Sequence, residues 1–300
     1  MLKRFADLHE VVKKKKQLKR LVLAVAQDDH SLEAVSLATD KKYIEPILVG
    51  DADLIKEIAD NNKIDLKKFN IINEPNVTEA VAKSVKLVHY GEADILMKGH
   101  VGTAVLLKGV LNKEWGLRKN EVVSHIALFE IEAYHHKILA LTDVAMNIAP
   151  DLNTKVGIIN NAVEFLIKLG VEKPKVAVLG AVELVNEMMP ATMDAALLSK
   201  MADRGQIKNC IIDGPLAFDN AISAESAKHK GIVSNVAGDA DLLLLPDIEA
   251  GNVLYKSFVF FANAKTAANI VGASAPIVLT SRSDSEESKL DSIVLAAAVD

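Results

Sequence analysis

The chain contains 300 residues, half of them hydrophobic and a quarter charged, and its formal net charge is −5. This acidic balance argues against nucleic-acid binding, which needs a basic surface, and no apolar run approaches the ~18 residues of a membrane span. The single cysteine, Cys210, excludes an intrachain disulfide and fits a reducing compartment. We therefore expect a cytoplasmic globular protein whose partners include neither nucleic acid nor a membrane.

The first hundred residues alternate short runs rich in Val, Ile and Leu with longer stretches of helical spacing. An amphipathic helix is predicted over residues 2–20. Buried strands are predicted at 21–26, 47–50, 69–72 and 94–99, and helices at 31–38, 52–61 and 77–89. Strands that alternate with helices in this way form βαβ units, so the sequence predicts an α/β fold with a mostly parallel sheet.

The same alternation continues after residue 150, but the middle of the chain differs. Residues 122–131 and 136–143 are adjacent strand patterns around a short polar turn. They predict a hairpin, and with it the entry into a second domain near residue 115. Further strands are predicted at 175–180, 210–213, 241–246 and 276–281, and further helices at 154–169, 191–201, 262–271 and 285–297.

The segment MKGHVGTAVLLKGVL, residues 97–111, places a glycine-bearing turn between a strand and a helix. Ligands of open α/β sheets bind outside the carboxyl ends of the strands, and free amides at a helix N-terminus hold anions. Gly99 and Gly102 permit a close approach of the backbone, and Thr103 lies at the helix start. Lys108 faces this turn only for one rotation of the helix, and otherwise it is an exposed helix lysine.

A second strand-to-helix turn follows the predicted strand at 276–281. Ser281 offers a hydroxyl that donates and accepts hydrogen bonds, and Arg282 offers a planar charged fork suited to phosphate. Ser283 and Glu286 have the spacing of a capping box, which predicts the start of the helix. On geometry alone an equal alternative has Arg282 in a surface ion pair and Ser281 in an ordinary turn.

The second half of the chain carries a Gly-Pro turn, Gly214–Pro215, after the predicted strand at 210–213. Cys210 opens that apolar strand, so burial is expected for it and not the role of a nucleophile. The sequence contains no P-loop, dinucleotide-binding or nucleophile-elbow motif. No metal site is predicted, because zinc-like or paired ligand spacing is missing from the candidate side chains His135, His136, Asp241, Asp247 and Glu249.

Several of these motifs, in the same order along the chain, resemble the phosphate acetyl/butyryltransferase family. They are MKGHVGTA, TDVAMNIAPD, GPLAFD, PDIEAGNVLYK and the Ser-Arg pair after PIVLT. The resemblance covers essentially the whole chain. The form SRSDS, together with MKG, VLNKEWGLR and the stretch from Ala24 to Val35, is more similar to the butyryltransferases of the family than to the acetyltransferases.

The resemblance implies a two-domain, three-layer α/β/α fold akin to isocitrate and isopropylmalate dehydrogenases, with the active site in the interdomain cleft. The first domain would take residues 1–115 and 270–300 and carry the Ser-Arg motif, and the second would take residues 116–269. The substrates implied are coenzyme A or acyl-CoA and inorganic phosphate or acyl phosphate. No permanently bound cofactor is implied, and the protein would be a homo-oligomer of at least two subunits.

In this family the thiolate of coenzyme A attacks the carbonyl carbon of an acyl phosphate, and phosphate leaves. Carried over, Ser281 would hydrogen-bond the reacting carbonyl or sulfur region, and Arg282 would hold the phosphate. Lys108 falls where the acetyltransferases have an arginine, so a point charge replaces a bidentate fork there, and Thr103 matches a hydroxyl residue of the same turn. The remaining substrate-binding positions would be Gly99, Gly102, Gly214 and Pro215.

The general base is where this chain departs from the family pattern. Acetyltransferases have an aspartate in the helix after Ser-Arg, but this chain has about one extra turn there. Alignment from the left places Ser288 at that position, and alignment from the right places Ser292. Asp284 and Asp291 are the nearby acids. We prefer Asp284, because it lies close to the helix start and to Arg282.

Other functions stay open beside butyryl transfer. Acetyl or another short-chain specificity is one, because one or two methylenes contribute only about 1–3 kcal/mol of discrimination. A metal- and NAD-dependent hydroxyacid dehydrogenase would share the fold, but the sequence shows neither its carboxylate triad nor its adenine-binding loop. A non-catalytic protein that binds coenzyme A or an anion is a third, and the presence of Ser281 and Arg282 argues against it.

Overall fold

The computed structural model describes residues 3–134, 136–280 and 284–299. Within these ranges the strands are β1 (Lys19–Ala24), β2 (Ile44–Gly50), β3 (Asn70–Asn73), β4 (Ile95–Lys98), β5 (Ser124–Glu130), β6 (Leu139–Thr142), β7 (Lys175–Leu179), β8 (Ile211–Leu216), β9 (Leu242–Leu244), β10 (Lys265–Val271) and β11 (Ile277–Val278). The helices are α1 (Phe5–Lys13), α2 (Asp29–Asp40), α3 (Ala52–Asn61), α4 (Val77–His89), α5 (Thr103–Val110), α6 (Leu152–Lys168), α7 (Pro190–Asp203), α8 (Phe218–Ile222), α9 (Ala224–His229), α10 (Ile248–Phe260) and α11 (Glu286–Ala298).

The chain divides into two compact units. The split unit comprises Phe5–Glu121 and the described residues from Ala267 onward. The inserted unit comprises Val122–Thr266 together with Lys3 and Arg4. The predicted domain boundaries near residues 115 and 270 stay a prediction, because a division into two compact units does not show that each unit folds on its own.

The sheet of the split unit has the strand order β3-β2-β1-β4-β11-β10. Neighbouring strands are parallel except for β10, which pairs antiparallel with β11. The chain moves across the sheet in one direction from β1 to β3 and returns in the other direction to reach β4. Right-handed crossovers therefore place α2 and α3 on one face of the sheet and α4 on the other. Helix α11 packs against α2, and α5 packs against α4. The strands are therefore enclosed between two helical layers, and residues Leu21 to Ala24 of β1 are fully buried.

The sheet of the inserted unit has the strand order β5-β6-β9-β7-β8. Strands β5 and β6 form an antiparallel hairpin, as predicted, and the other neighbours are parallel. The connections β6–α6–β7 and β7–α7–β8 step in the same direction across the sheet. Right-handed crossovers therefore place α6 and α7 on one face. The predicted α/β fold with mostly parallel sheets is confirmed.

The prediction of a helix over residues 262–271 is wrong, because Lys265–Val271 form the strand β10. Alanine favours helix in this segment, but six of the seven residues of β10 are buried and Ile270 pairs with Ile277 of β11. Burial within the sheet outweighs a local propensity of a few tenths of a kcal/mol per residue.

Helix α10 is not among the predicted helices, and the structure shows it after the strand predicted at 241–246. The structure gives Gly251 a packing role inside the helix. A Cβ at Gly251 would lie 2.4 Å from the carbonyl oxygen of Asp143, so α10 approaches this carbonyl more closely than any other residue would allow.

Asp239 in the inserted unit makes the stability of the folded state depend on pH in the acidic range. Burial opposes its ionisation, but hydrogen bonds from Lys137 and Lys175 outweigh this effect and lower its pKa from 3.8 to about 2. Ionised Asp239 therefore stabilises the folded state above about pH 4, and this contribution is lost as the pH falls towards 2. After allowance for solvent screening we expect Asp239→Asn to lower the free energy of unfolding at pH 7 by about 1 kcal/mol. Urea denaturation from pH 7 to 2 checks this, and equal acid dependence in both proteins would contradict it.

Candidate active site

The loops that follow β1 and β4 are tied together at the carboxyl edge of the split-unit sheet. Val25 is buried and has a φ of 58°, which is unfavourable for a β-branched residue. Its carbonyl accepts the N–H of His100 at 2.8 Å, and the carbonyl of Ala24 accepts the N–H of Gly99 at 2.9 Å. A Cβ at Gly99 would lie 2.3 Å from the Val25 oxygen. Glycine at 99 is thus required by the protein's own backbone.

Helix α5 begins directly after this turn, and its N-terminus has no side-chain cap. Gly102 is the N-cap residue, and open space surrounds the position where its Cβ would be. Thr103 is the first helical residue and is exposed. Within the described residues, the N–H groups of Thr103 and Ala104 have no acceptor. Free amides at a helix N-terminus bind anions, so this turn has the chemistry of a phosphate site.

Charged side chains that the sequence analysis did not combine lie at the same edge. Asp28 caps α2 by accepting the N–H of Ser31 at 3.0 Å, and its other oxygen is 3.8 Å from Nδ1 of His100. Burial alone would raise the pKa of Asp28, but hydrogen bonds from Ser31 and the nearby His100 and Lys98 lower it. The sequence signal for this group was its position, since Asp28 and His100 each follow a buried strand.

Strand β11 ends at this same edge of the sheet. It runs parallel to β4, with Val278 beside Met97, so the two strands end on the same side. Ser281 and Arg282 themselves lie outside the described residues, and their roles stay predictions. Asp284, which is half-buried, lies two residues before the first residue of α11.

The start of α11 differs in detail from the predicted capping box of Ser283 and Glu286. The helix begins at Glu286, and Ser285 is its N-cap. The hydroxyl of Ser285 accepts the N–H of Ser288 at 3.1 Å. The cap is therefore a serine two residues beyond the predicted one, and Ser283 lies outside the described residues.

Asp291, the second candidate for the general base, is buried within the split unit. Its Oδ1 is 2.7 Å from Nε2 of His9 on α1, and Nδ1 of His9 is 2.9 Å from the hydroxyl of Tyr43. The side chain of Asp291 is only 4% exposed. This engagement argues for a structural role of Asp291 and supports our preference for Asp284 as the base.

Ser288 and Ser292, which alternative alignments place at the family's aspartate position, are engaged in local contacts. The hydroxyl of Ser292 accepts the N–H of Ala268 at 3.0 Å and donates to the carbonyl of Ser288 at 2.7 Å. Ser292 therefore joins α11 to β10, and it carries no carboxylate that could take a proton.

Lys108 is exposed and lies in the last turn of α5. It lies five positions after Thr103, which corresponds to about 7.5 Å along the helix axis and roughly 140° of rotation. The structure thus places the backbone of Lys108 away from the uncapped end of α5. Its role in substrate binding stays a prediction that depends on the reach of the side chain.

Gly214 and Pro215 lie in the inserted unit, inside strand β8 and not in the turn that the sequence suggested. A Cβ at Gly214 would lie 2.7 Å from the carbonyl oxygen of Val178 and 3.2 Å from Cβ of Ala195. Glycine therefore lets β8 pack closely against β7 and α7. The part of both residues in substrate binding stays a prediction.

The described part of the chain holds no group of three or more His, Cys, Asp or Glu side chains placed to bind a metal ion. Among the described helices, none is both long and apolar enough to cross a membrane. Cys210 is buried, and burial raises the pKa of its thiol to about 11. The thiol is therefore protonated at neutral pH, which makes it a poor nucleophile.

Gly99→Ala should disrupt the turn between β4 and α5. The added methyl group would collide with the Val25 carbonyl, so we expect the free energy of unfolding to fall by about 1–3 kcal/mol. Gly102→Ala is the matched control, because that position is open and the change should cost less than about 1 kcal/mol. Urea denaturation of both variants checks this, and equal losses would contradict the assignment of the close contact to Gly99.

These features define a class of protein: an α/β enzyme fold in which the neighbouring strands β4 and β11 end at one sheet edge and the helix after β4 presents free amides to an anion. A family model described as phosphate acetyl/butaryl transferase matches residues 5–81 and 74–297. The chain is 51% identical to a phosphate butyryltransferase of Clostridium acetobutylicum, over 100% of this chain and 99% of the relative. It is 47% identical to a phosphate acetyltransferase of Thermotoga maritima, over 93% and 94% of the two chains.

Solved structures agree with the fold. A branched-chain phosphotransacylase from Enterococcus faecalis V583 superposes with a TM-score of 0.83 at 35% identity, covering 94% of this chain and 98% of the other. A 4-hydroxythreonine-4-phosphate dehydrogenase from Klebsiella pneumoniae gives a TM-score of 0.56 at 13% identity over 94% and 100%, and shows likeness of fold alone. The chain belongs to the phosphate acetyl/butyryl transferase family.

Proposed function

We propose that this protein transfers a butyryl group between coenzyme A and inorganic phosphate. The observation that carries the proposal is the identity of 51% with a phosphate butyryltransferase over the full chain. The uncapped N-terminus of α5, beside the end of β11, supports it with an anion site of the required chemistry.

In the proposed reaction, the sulfur of coenzyme A attacks the carbonyl carbon of butyryl phosphate. A C–S bond forms, the C–O bond to the phosphoryl group breaks, and phosphate leaves with the electron pair. Asp284 takes the thiol proton, Ser281 hydrogen-bonds the reacting carbonyl, and Arg282 holds the phosphate. Amides of α5 share its negative charge. Electrostatic stabilisation of this kind is the largest contribution in many acyl transfers.

Direct transfer forms no covalent acyl-enzyme, so we expect Cys210→Ala to keep its activity. Because the Cys210 thiol is buried and protonated, its removal should change kcat by less than about 3-fold, as for a small core substitution that the protein tolerates. Steady-state kinetics with butyryl-CoA and phosphate check this. A loss of activity without a loss of stability would indicate a covalent route through Cys210.

Thiol release from acetyl-, propionyl-, butyryl- and isobutyryl-CoA, with and without phosphate, tests the proposed function. We expect phosphate-dependent release, with the highest kcat/KM for butyryl-CoA. A preference for acetyl-CoA would instead support phosphate acetyl transfer, the activity named for the Thermotoga maritima relative. Absence of release with every acyl-CoA would contradict the enzyme, and binding of coenzyme A without turnover would then support a binding protein.

We also propose that coenzyme A is a co-substrate released in each turnover, that no other cofactor is permanently bound, and that the protein is cytoplasmic. Absorbance and metal analysis of the purified protein, together with fractionation of its cells, test these points. A bound chromophore or a stoichiometric metal would contradict the second of them.

A homo-oligomer of at least two subunits is part of the proposal. Supporting it, the inserted unit exposes six large apolar side chains around the start of α7: Leu184, Val185, Met188, Met189, Met193 and Leu197. Met193 and Leu197 are four residues apart in α7 and so share one face, and Met189 is the residue that precedes the helix. Light scattering should give at least twice 32.4 kDa. Met193→Glu with Leu197→Glu should dissociate the assembly, whereas Leu37→Glu, at an exposed leucine of α2, should not.

A further inference from the structure

Three lysines of the described chain are almost fully buried, and two of them are paired with carboxylates. Nζ of Lys137 lies 2.8 Å from the carboxylate of Asp241, and Nζ of Lys155 lies 2.6 Å from that of Asp194. Buried ammonium groups need such partners, because removal from water penalises an isolated charge. The third buried lysine, Lys289, is the exception.

Lys289 is 2% exposed, yet among the described residues no carboxylate lies within ion-pair distance of it. Its Nζ donates to a single acceptor there, the backbone carbonyl of Asp284, at 2.5 Å. A carbonyl is neutral, and an ammonium has three donors. Two donors and the full positive charge are thus left without compensation by the described protein.

The position of this charge connects it with the candidate active site. Lys289 is the fourth residue of α11, and its side chain extends back towards the helix start, as helical side chains do. Asp284, whose carbonyl is the acceptor, lies in the segment between β11 and α11, and β11 ends on the same side of the sheet as β4, the strand that leads into α5. The acids of the first turn, Glu286 and Glu287, are exposed to solvent. Among the described residues, Lys289 is therefore the buried cation at this end of α11.

We propose that Lys289 is a phosphate-binding residue whose missing counter-charge is the phosphoryl group of the substrate. The carbonyl of Asp284 orients the ammonium, and its free donors bind an oxyanion that approaches from the carboxyl edge of the sheet. The choice of a phosphoryl group as the ligand rests on the proposed function. An uncompensated buried charge lowers stability, and binding of the phosphoryl group to the folded protein offsets this cost.

Lys289→Met keeps the length of the side chain and removes the charge, and inorganic phosphate is the probe. We expect the thermal midpoint without phosphate to be unchanged or higher, because an uncompensated charge is removed. The increase of the midpoint with phosphate should be lost, and the KM for phosphate should rise roughly 10- to 100-fold, the range for a charged hydrogen bond. The KM for butyryl-CoA should stay within about 2-fold. Lys289→Arg should restore part of the phosphate response.

Lys155→Met is the matched control, because it removes a buried lysine that has a carboxylate partner. It should lower the midpoint and leave the response to phosphate intact. If Lys289→Met instead lowers the midpoint and binds phosphate like the wild type, the lysine is structural and the proposal is overturned. Failure of both Lys289→Met and Lys289→Gln to fold would overturn it as well. A wild type that binds phosphate through Lys289 but transfers no acyl group would refute the proposed function and not this site.

Discussion

Arg282→Ala is expected to raise the KM for inorganic phosphate and to lower kcat, with a combined loss of about 10²–10³ in kcat/KM. The planar guanidinium matches two phosphate oxygens at once, and the loss of a single oxyanion donor has an effect of this size in acyl transfer. With butyryl-CoA as substrate the phosphate is the nucleophile, so the loss of Arg282 both weakens phosphate binding and misplaces the attacking oxygen, which affects KM and kcat together. Initial rates with butyryl-CoA at varied phosphate measure both constants.

Arg204→Ala provides the control for this experiment. Arg204 is an exposed residue that ends α7 in the inserted unit, so the same change there should leave both constants and the urea midpoint unaltered. Arg282→Lys should recover only part of the loss, since lysine keeps the charge but not the fork. An unchanged phosphate KM in Arg282→Ala would remove Arg282 from the phosphate site.

Asp284→Asn is expected to lower activity, whereas Asp291→Asn is expected to lower stability. A general base contributes about 10²–10⁴ to the rate, so with coenzyme A and butyryl phosphate as substrates Asp284→Asn should lower kcat by such a factor and abolish the acidic limb of the pH–rate profile. Asp291→Asn should keep that limb. It loses a charged hydrogen bond to His9 in a buried setting, which should lower the free energy of unfolding by about 1.5–3 kcal/mol.

His9→Gln separates the structural reading of Asp291 from the catalytic one. If Asp291 serves the contact between α1 and α11, His9→Gln and Asp291→Asn should destabilise the protein by similar amounts, and the double variant should lose less than their sum. The opposite outcome, in which Asp291→Asn loses the acidic limb while stability is retained, would make Asp291 the base.

Much of the fold follows from local sequence. The bounds of α3 and α4 agree with the prediction because each helix has a polar cap, Asp51 and Asn76, directly before an apolar periodic segment. Strand β10 could not be predicted in this way. Its alanines have no strand preference of their own, and its state is decided by β11 and by helix α11, whose Ser292 binds the N–H of Ala268.

In the candidate site, too, some features follow from local sequence and others from contacts between residues far apart in the chain. A glycine turn before α5 is a local signal, and the sequence located it. What Gly99 accommodates is the carbonyl of Val25, 74 residues earlier in the chain, and no local pattern contains that contact. Lys289 likewise has the sequence of an ordinary helix lysine. Its burial becomes visible only when α11 lies against the sheet.

The split unit also has a consequence for synthesis on the ribosome. Strands β1 to β4 emerge early, but the neighbour of β4 is β11, and the helix that covers α2 is α11. One edge of nascent β4 therefore remains unpaired while the 145 residues from Val122 to Thr266 are translated, and such edges promote aggregation. Binding of a chaperone to the nascent chain should accordingly persist until residues after Ala267 have left the exit tunnel.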